Sequence, residues 1–148
     1  MIYLLYTNAT TMNLRMANIR FGLAALFITA VMGGMALGGT FNEQSVQDGN
    51  HLLSLARFYM REGHSHGNFM SFFNLFVGLI LNQLTLSEKL KKVCSYAAMA
   101  AFFLPIGLAA QGFAGAPDDF PPIGLIGIIG IATALIILII GAFKTKQA

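Results

Sequence analysis

Two histidines, an asparagine and a serine stand close together in the run Gly63-His64-Ser65-His66-Gly67-Asn68-Phe69-Met70-Ser71, which opens a long apolar stretch. An imidazole can ligate a metal or a haem iron, shuttle a proton or hydrogen-bond between helices. Ionisable and strongly polar groups in a membrane span are costly, which makes the run a candidate site. On a regular helix, at about 100° per residue, His64, Asn68, Ser71, Leu75, Gly78 and Asn82 share one polar or small line. His66, Met70, Phe73 and Val77 share another, largely apolar one. The two histidines are about 200° apart, so a regular helix cannot bring both to one metal ion. Copper or zinc would need an irregular helix end, which Gly63 and Gly67 permit, and further ligands that the run does not offer. Haem suits the pattern better. His64 would be the axial ligand, Asn68 a neighbour on its line, and Ser71 and Gly78 would leave room for a flat macrocycle. Phe69, Phe72, Phe73 and Phe76 surround the same helix, and Tyr96, Phe102 and Phe103 come from a later one. The plainer alternative for the same residues is an interhelical hydrogen bond with aromatic packing.

Composition says what holds that run in place. The chain has 148 residues, 56% of them hydrophobic and only 10% charged. Soluble domains carry about 25% charged residues, and so few charges cannot cover a water-soluble globule of this size. A chain of this length makes one domain, here residues 1–148. A spanning helix needs about 20 mostly apolar residues, and four stretches qualify, roughly 20–40, 64–84, 93–113 and 122–143. They are continuous and do not alternate with period two, so they are helices and not barrel strands. The first lacks a small-residue cleavage site and reads as a span, not a signal peptide. The expected fold is all-α, an integral membrane four-helix bundle.

Charge placement orients it. Arg15 and Arg20 precede the first stretch, Lys89, Lys91 and Lys92 lie between the second and third, and Lys144 and Lys146 follow the fourth. In a four-span chain these share one side, leaving Arg57 and Arg61 on the other. Cations gather on the cytoplasmic side, so both termini are expected there, in a bacterial inner membrane. The Thr40–Gly63 and Gly115–Pro122 loops, the second with Asp118 and Asp119, would face outward. Leu52, Leu55, Ala56 and Tyr59 recur at helical spacing and predict a short interfacial helix between the first two spans, capped by Asn50. His51, at its start, reads as solvated. Gly34 and Gly38 in the first span, and Gly124, Gly127 and Gly130 in the fourth, predict close helix packing within the bundle or between copies. Cys94, the one cysteine, reads as a small packed residue.

The run His64 to Ser71 resembles an H-x-H-x-N-hydrophobic-hydrophobic-Gly pattern. That pattern opens the second helix of small four-helix membrane proteins related to haem–copper oxidase subunit I. The layout of most of the chain is also similar to styrene oxide isomerase and the hydroxylaminobenzene mutases. The shared plan is a first span, a long loop, a histidine opening the second span, a short basic loop and two more spans. The resemblance implies haem b, held by the histidine at the start of the second helix. Matching by distance to the small residue picks His64, with Ser71 where the family has Gly. Matching through H-x-N picks His66 with Asn68, which keeps His66 as alternative ligand or supporting residue.

Three functions fit these residues. One is a b-type haem protein, in electron transfer or as a haem-bearing subunit, with His64 as axial ligand at the outer end of the second span. Its second ligand would be absent or come from another copy. Another is a haem-dependent isomerase acting on an epoxide or hydroxylamine, with Asn68 and Tyr96 orienting the substrate. The last is a cofactor-free accessory subunit of a larger membrane complex. Expected partners are membrane lipid and either further copies of the chain or subunits of such a complex. A formal charge of +3, without a basic run interleaved with aromatics, gives no footing for nucleic acid. Three histidines in all exclude a binuclear haem–copper centre within the chain. No phosphate loop or nucleophile–base pair supports kinase or hydrolase chemistry.

Overall fold

The computed structural model describes residues 2–40, 55–115 and 120–145, with side chains from residue 13 onward. Asn50, His51, Leu52, Asp118, Asp119 and Lys146 lie outside the described residues. Every element among the described residues is helical: α1 (Ile2–Leu26), a π-helical segment (Phe27–Gly33), α2 (Gly34–Gly39), α3 (Leu55–Ile80), α4 (Glu88–Ala100), α5 (Phe103–Phe113) and α6 (Pro122–Lys144). α1, the π segment and α2 follow one another directly and make the first long helix. α4 and α5 make the third, with a break at residues 101–102. Pro105 explains that break. It has no N–H for the Ala101 carbonyl, which accepts instead from Leu104 N at 3.2 Å.

Three of these helices are long and apolar enough to cross a membrane: Asn13–Gly39, Glu88–Phe113 and Pro122–Lys144. Large apolar side chains cover their outer faces, with Met35 71%, Phe113 68%, Ile129 66% and Phe143 89% exposed. Continuous apolar surface of this kind marks a membrane or partner-facing region. α3 is long but less apolar, because Arg57, Arg61, Glu62, His64, His66, Asn68 and Asn74 lie along it.

Of the interfacial helix expected over Leu52, Leu55, Ala56 and Tyr59, the described part is not a separate helix. Leu55, Ala56 and Tyr59 lie in the first turns of α3, which runs unbroken to Ile80. Gly63 and Gly67 do not interrupt it and are buried where neighbouring chain comes close. A Cβ on Gly63 would lie 2.8 Å from the Ala109 nitrogen on α5. Arg57 closes the far end of the first helix, donating from Nη1 and Nη2 to the Leu37 carbonyl at 3.3 and 3.4 Å. A cation at a helix C-terminus is favoured by the helix dipole.

α3 is the central element. One face meets the first helix and another meets α4 and α5. Phe73, Val77 and Leu81 pack with Cys94, Ala98, Ala134 and Ile137, while Met70 packs with Ala101, Leu104 and Leu108. A polar knot crosses this core. Asn18 donates from Nδ2 to Asn74 Oδ1 at 3.0 Å and to the Ser95 carbonyl at 3.2 Å. Ser95 Oγ donates to Asn18 Oδ1. Asn74 Nδ2 donates to the Met70 and Ala98 carbonyls at 2.9 and 2.8 Å. Asn18, Asn74 and Ser95 are all 0% exposed, and each amide donor and acceptor has a partner. The knot ties α1, α3 and α4 together.

The glycines of α6 serve packing within the chain. Gly124, Gly127 and Gly130 are buried, and a Cβ on Gly127 would overlap the Leu104 backbone nitrogen and sit 2.8 Å from the Ala101 carbonyl. A backbone obstacle cannot step aside as a side chain can. Gly127→Ala should therefore cost about 1–3 kcal/mol, the usual range for overpacking, read as a lower midpoint of thermal unfolding in detergent. Gly38→Ala is the control, since its Cβ would meet nothing within 4 Å.

Candidate functional site

His64 faces the π-helical segment of the first helix. Its Nδ1 lies 2.7 Å from the Thr29 carbonyl oxygen. A carbonyl only accepts, so Nδ1 carries the hydrogen. In the neutral ring Nε2 then holds a free lone pair, and the Asn68 amide nitrogen lies 3.3 Å from it. Asn68 Oδ1 accepts from Thr29 Oγ1 at 2.8 Å. The same hydroxyl also lies 2.9 Å from the Ala25 carbonyl. His64, Asn68 and Thr29 thus close a ring of contacts across two helices. A histidine held through Nδ1–H by a backbone carbonyl, with Nε2 presented, is the usual posture of a metal-ligating histidine.

The backbone admits this contact. π-helical segments are rare and are often found at functional sites. Here the wide turn carries both Thr29 and Gly33. A Cβ on Gly33 would lie 3.1 Å from His64 Nδ1, and one on Gly67 would overlap Thr29 Cγ2. Glycine on each side lets the two helices come close enough for the hydrogen bond. Gly33→Ala should push the ring off the Thr29 carbonyl. Losing about 1 kcal/mol of hydrogen bonding makes the Nδ1–H exchange roughly fivefold faster, measurable by proton–nitrogen NMR of histidine-labelled protein.

A cavity of about 350 Å³ adjoins His64, between the π segment, α3 and α5. Ile28, Met32, Met60, Phe102, Ile106 and Phe113 form much of its wall, and among the described residues His64 and Thr29 are its only polar side chains. Ligand pockets span about 300–1,000 Å³, so this one is small. Ile28, Met32, Ile106 and Phe113 are also exposed. The cavity therefore opens sideways, through helices apolar enough to lie in a membrane.

His66 points elsewhere. Its Nδ1 lies 2.9 Å from the Glu62 carbonyl and 3.3 Å from Glu62 Oε2. It borders a different cavity of about 380 Å³, with Ser65, Phe69, Met70 and Leu104. The two cavities share no lining residue, as the angular separation of the histidines requires. Among the described residues, no group of three or more His, Cys, Asp or Glu side chains could hold a metal ion.

The structure therefore brings together His64 and Asn68, and adds Thr29. It does not bring in the others. Ser71 is buried, and its Oγ donates to the Gly67 carbonyl at 2.7 Å within α3. Its own carbonyl lies 2.8 Å from where a Cβ of Gly22 would be, and Gly78 meets Ile19 and the Arg15 carbonyl in the same way. The small residues on this line make room for the first helix, and the space expected for a macrocycle beside Ser71 and Gly78 is filled by it. Phe72 and Tyr96 are 58% and 64% exposed. Tyr96 follows the buried pair Cys94 and Ser95 on α4, so its side chain turns outward, away from Asn68. Thr29, Asn18 and Asn74 are the polar residues that sequence reasoning passed over. Asn18 and Asn74 carry a usable signal, since a lone amide inside an apolar stretch needs a partner. Thr29 acts partly through its carbonyl, which leaves no mark in a sequence.

Comparisons with protein-family models, curated proteins and solved structures find no match to this chain.

Proposed function

We propose that this chain is a four-span integral membrane protein, with both termini cytoplasmic, that carries haem b on His64 Nε2 at the outer end of the second span. The observation that carries the reading is the posture of His64. The Thr29 carbonyl holds Nδ1–H at 2.7 Å, and the ring borders an apolar cavity. The resemblance of His64 to Ser71 to the haem-binding helix of the small four-helix family points the same way. α3 supplies the second span, in addition to the three helices apolar enough by themselves. Its 26 residues reach about 39 Å at 1.5 Å per residue. Its place between the first helix and the α4–α5 pair keeps Asn68 and Asn74 away from lipid.

The residues present fit haem as a one-histidine site. Nε2 is the lone-pair nitrogen, and the adjoining wall is apolar. A porphyrin is larger than the cavity of about 350 Å³, so its edge would pass the mouth among Ile28, Met32, Ile106 and Phe113. Thr29 orients the imidazole, and Asn68 would have to release Nε2 for that nitrogen to hold an iron. Haem bound there supplies a redox-active iron or, with a coordination position open, a Lewis acid.

One observation favours the isomerase over the electron-transfer reading. Among the described residues His64 is the only histidine at this cavity, which suits an open position beside an apolar substrate space. Asn68 touches Nε2 at 3.3 Å but is not among the residues lining this space, so its part would be to position His64. The test is the optical spectrum of protein purified from haem-replete cells. A Soret band that shifts with azide or a small amine supports the open site. A band indifferent to them supports electron transfer, and colourless protein that co-purifies with stoichiometric partners overturns the haem reading in favour of an accessory subunit.

A further inference from the structure

The end of the molecule opposite His64 carries a concentration of charge that haem binding does not use. Asn18 donates to the Ser95 carbonyl at 3.2 Å, which fixes α1 beside α4 at one level. Arg15 lies about one turn below Asn18, and Lys91 and Lys92 about one turn below Ser95. Arg20 is exposed just above, with a side chain long enough to reach down to that level. Lys89 and Lys92 are exposed at the start of α4, and Lys144 is exposed at the end of α6. Thr85 N donates to Thr145 Oγ1 at 2.9 Å, joining the α3–α4 turn to the end of α6. Arg15, Arg20, Lys89, Lys91, Lys92 and Lys144 therefore ring one end of the helices. The only acid there among the described residues is Glu88, whose Oε1 lies 3.2 Å from Lys91 Nζ.

This arrangement works against the helix it sits on. The first turn of a helix is the positive end of its dipole and favours acids. α4 begins instead with Glu88-Lys89-Leu90-Lys91-Lys92 after its Ser87 cap. Lys91 has Glu88; Lys89 and Lys92, at a positive helix end, call for anions from outside the chain. Arg15 adds a buried Nε with no hydrogen-bond partner among the described residues. The neighbours available at this height on a membrane-inserted protein are lipid headgroups, and the apolar faces just above would hold their acyl chains.

We propose that this basic ring binds anionic phospholipids in preference to zwitterionic ones, seating their phosphates between α1 and the start of α4. The proposal rests on membrane insertion and is independent of haem. The test offers purified protein an equimolar mixture of phosphatidylglycerol and phosphatidylcholine and counts retained lipids by native mass spectrometry. A basic residue near the membrane surface contributes about 1 kcal/mol with anionic lipid, roughly fivefold in binding, so phosphatidylglycerol should be retained at least about fivefold over phosphatidylcholine. The combined substitution R20Q/K89Q/K92Q/K144Q should bring the ratio close to one, and Arg61→Gln at the opposite end should leave it unchanged. Equal retention by the unmodified protein overturns the proposal, as does the same loss in Arg61→Gln. Release of the protein from membranes by alkaline carbonate overturns the insertion reading and this one together. An inserted protein without lipid preference overturns this one alone.

Discussion

Replacing His64 with alanine is expected to remove the Soret band of the purified protein, while His66→Ala leaves it in place. The contrast follows from where each imidazole sits. His64 borders an apolar cavity, with its ring fixed by the Thr29 carbonyl at 2.7 Å. His66 has its Nδ1 on Glu62 and borders a separate cavity. Among the described residues His64 is the only imidazole at the first cavity, and its loss removes the only strong nitrogen donor they place there. Residues that orient a ligand are worth about 10–100-fold in metal affinity, and those that supply the donor atom are worth more. Thr29→Val separates the two roles. The carbonyl that holds Nδ1–H remains, so haem binding should survive, while Asn68 loses the hydroxyl that fixes its amide. The readout is haem per protein, by absorbance against amino-acid analysis. Equal loss of haem in His64→Ala and His66→Ala would move the ligand away from His64.

The parts of this molecule visible in its sequence are those written in hydropathy. The first, third and fourth long helices lie where continuous apolar residues run, although the break in the third ahead of Pro105 was not expected. The line from His64 through Ser71 to Gly78 was also legible, and it does face inward. What it faces was not legible. Side-chain period says which residues share a face, but not whether the neighbour is a helix or a cofactor. Ser71 and Gly78 admit Gly22, Ile19 and Arg15, where a macrocycle was expected. The merging of Leu55–Arg61 into α3 was hidden for a related reason. Gly63 and Gly67 look like breaks in a linear reading, yet in the fold they are points of close approach. The π-helical segment has no sequence signature of its own, and with it went Thr29. Asn74 is the instructive omission. It lies between the two lines drawn on α3, and it is buried together with Ser71 and Gly78 of one line and Met70, Phe73 and Val77 of the other.

Asn74→Leu is accordingly expected to be among the most destabilising single changes outside the glycines, at about 2 kcal/mol. It removes the acceptor for Asn18 Nδ2 and the donors to the Met70 and Ala98 carbonyls. A buried polar group left without a partner costs about 1–3 kcal/mol. The figure is held down because Asn18 keeps the Ser95 carbonyl and because interhelical hydrogen bonds in membrane proteins average only about 0.6 kcal/mol. Asn18→Leu should cost a similar amount. The double variant should cost less than the sum by about 1 kcal/mol, since each single change strands part of the other amide. Ser71→Ala should stay within about 0.5 kcal/mol, because that hydroxyl only returns to the Gly67 carbonyl of its own helix. Unfolding by added dodecyl sulfate, followed by circular dichroism, measures all four. Asn74 lies about 15 Å along α3 from His64. Folded Asn74→Leu protein should therefore keep an unshifted Soret band, which separates the knot that holds the helices from the histidine proposed as haem ligand. An altered band in folded Asn74→Leu would show that the two polar clusters act as one site.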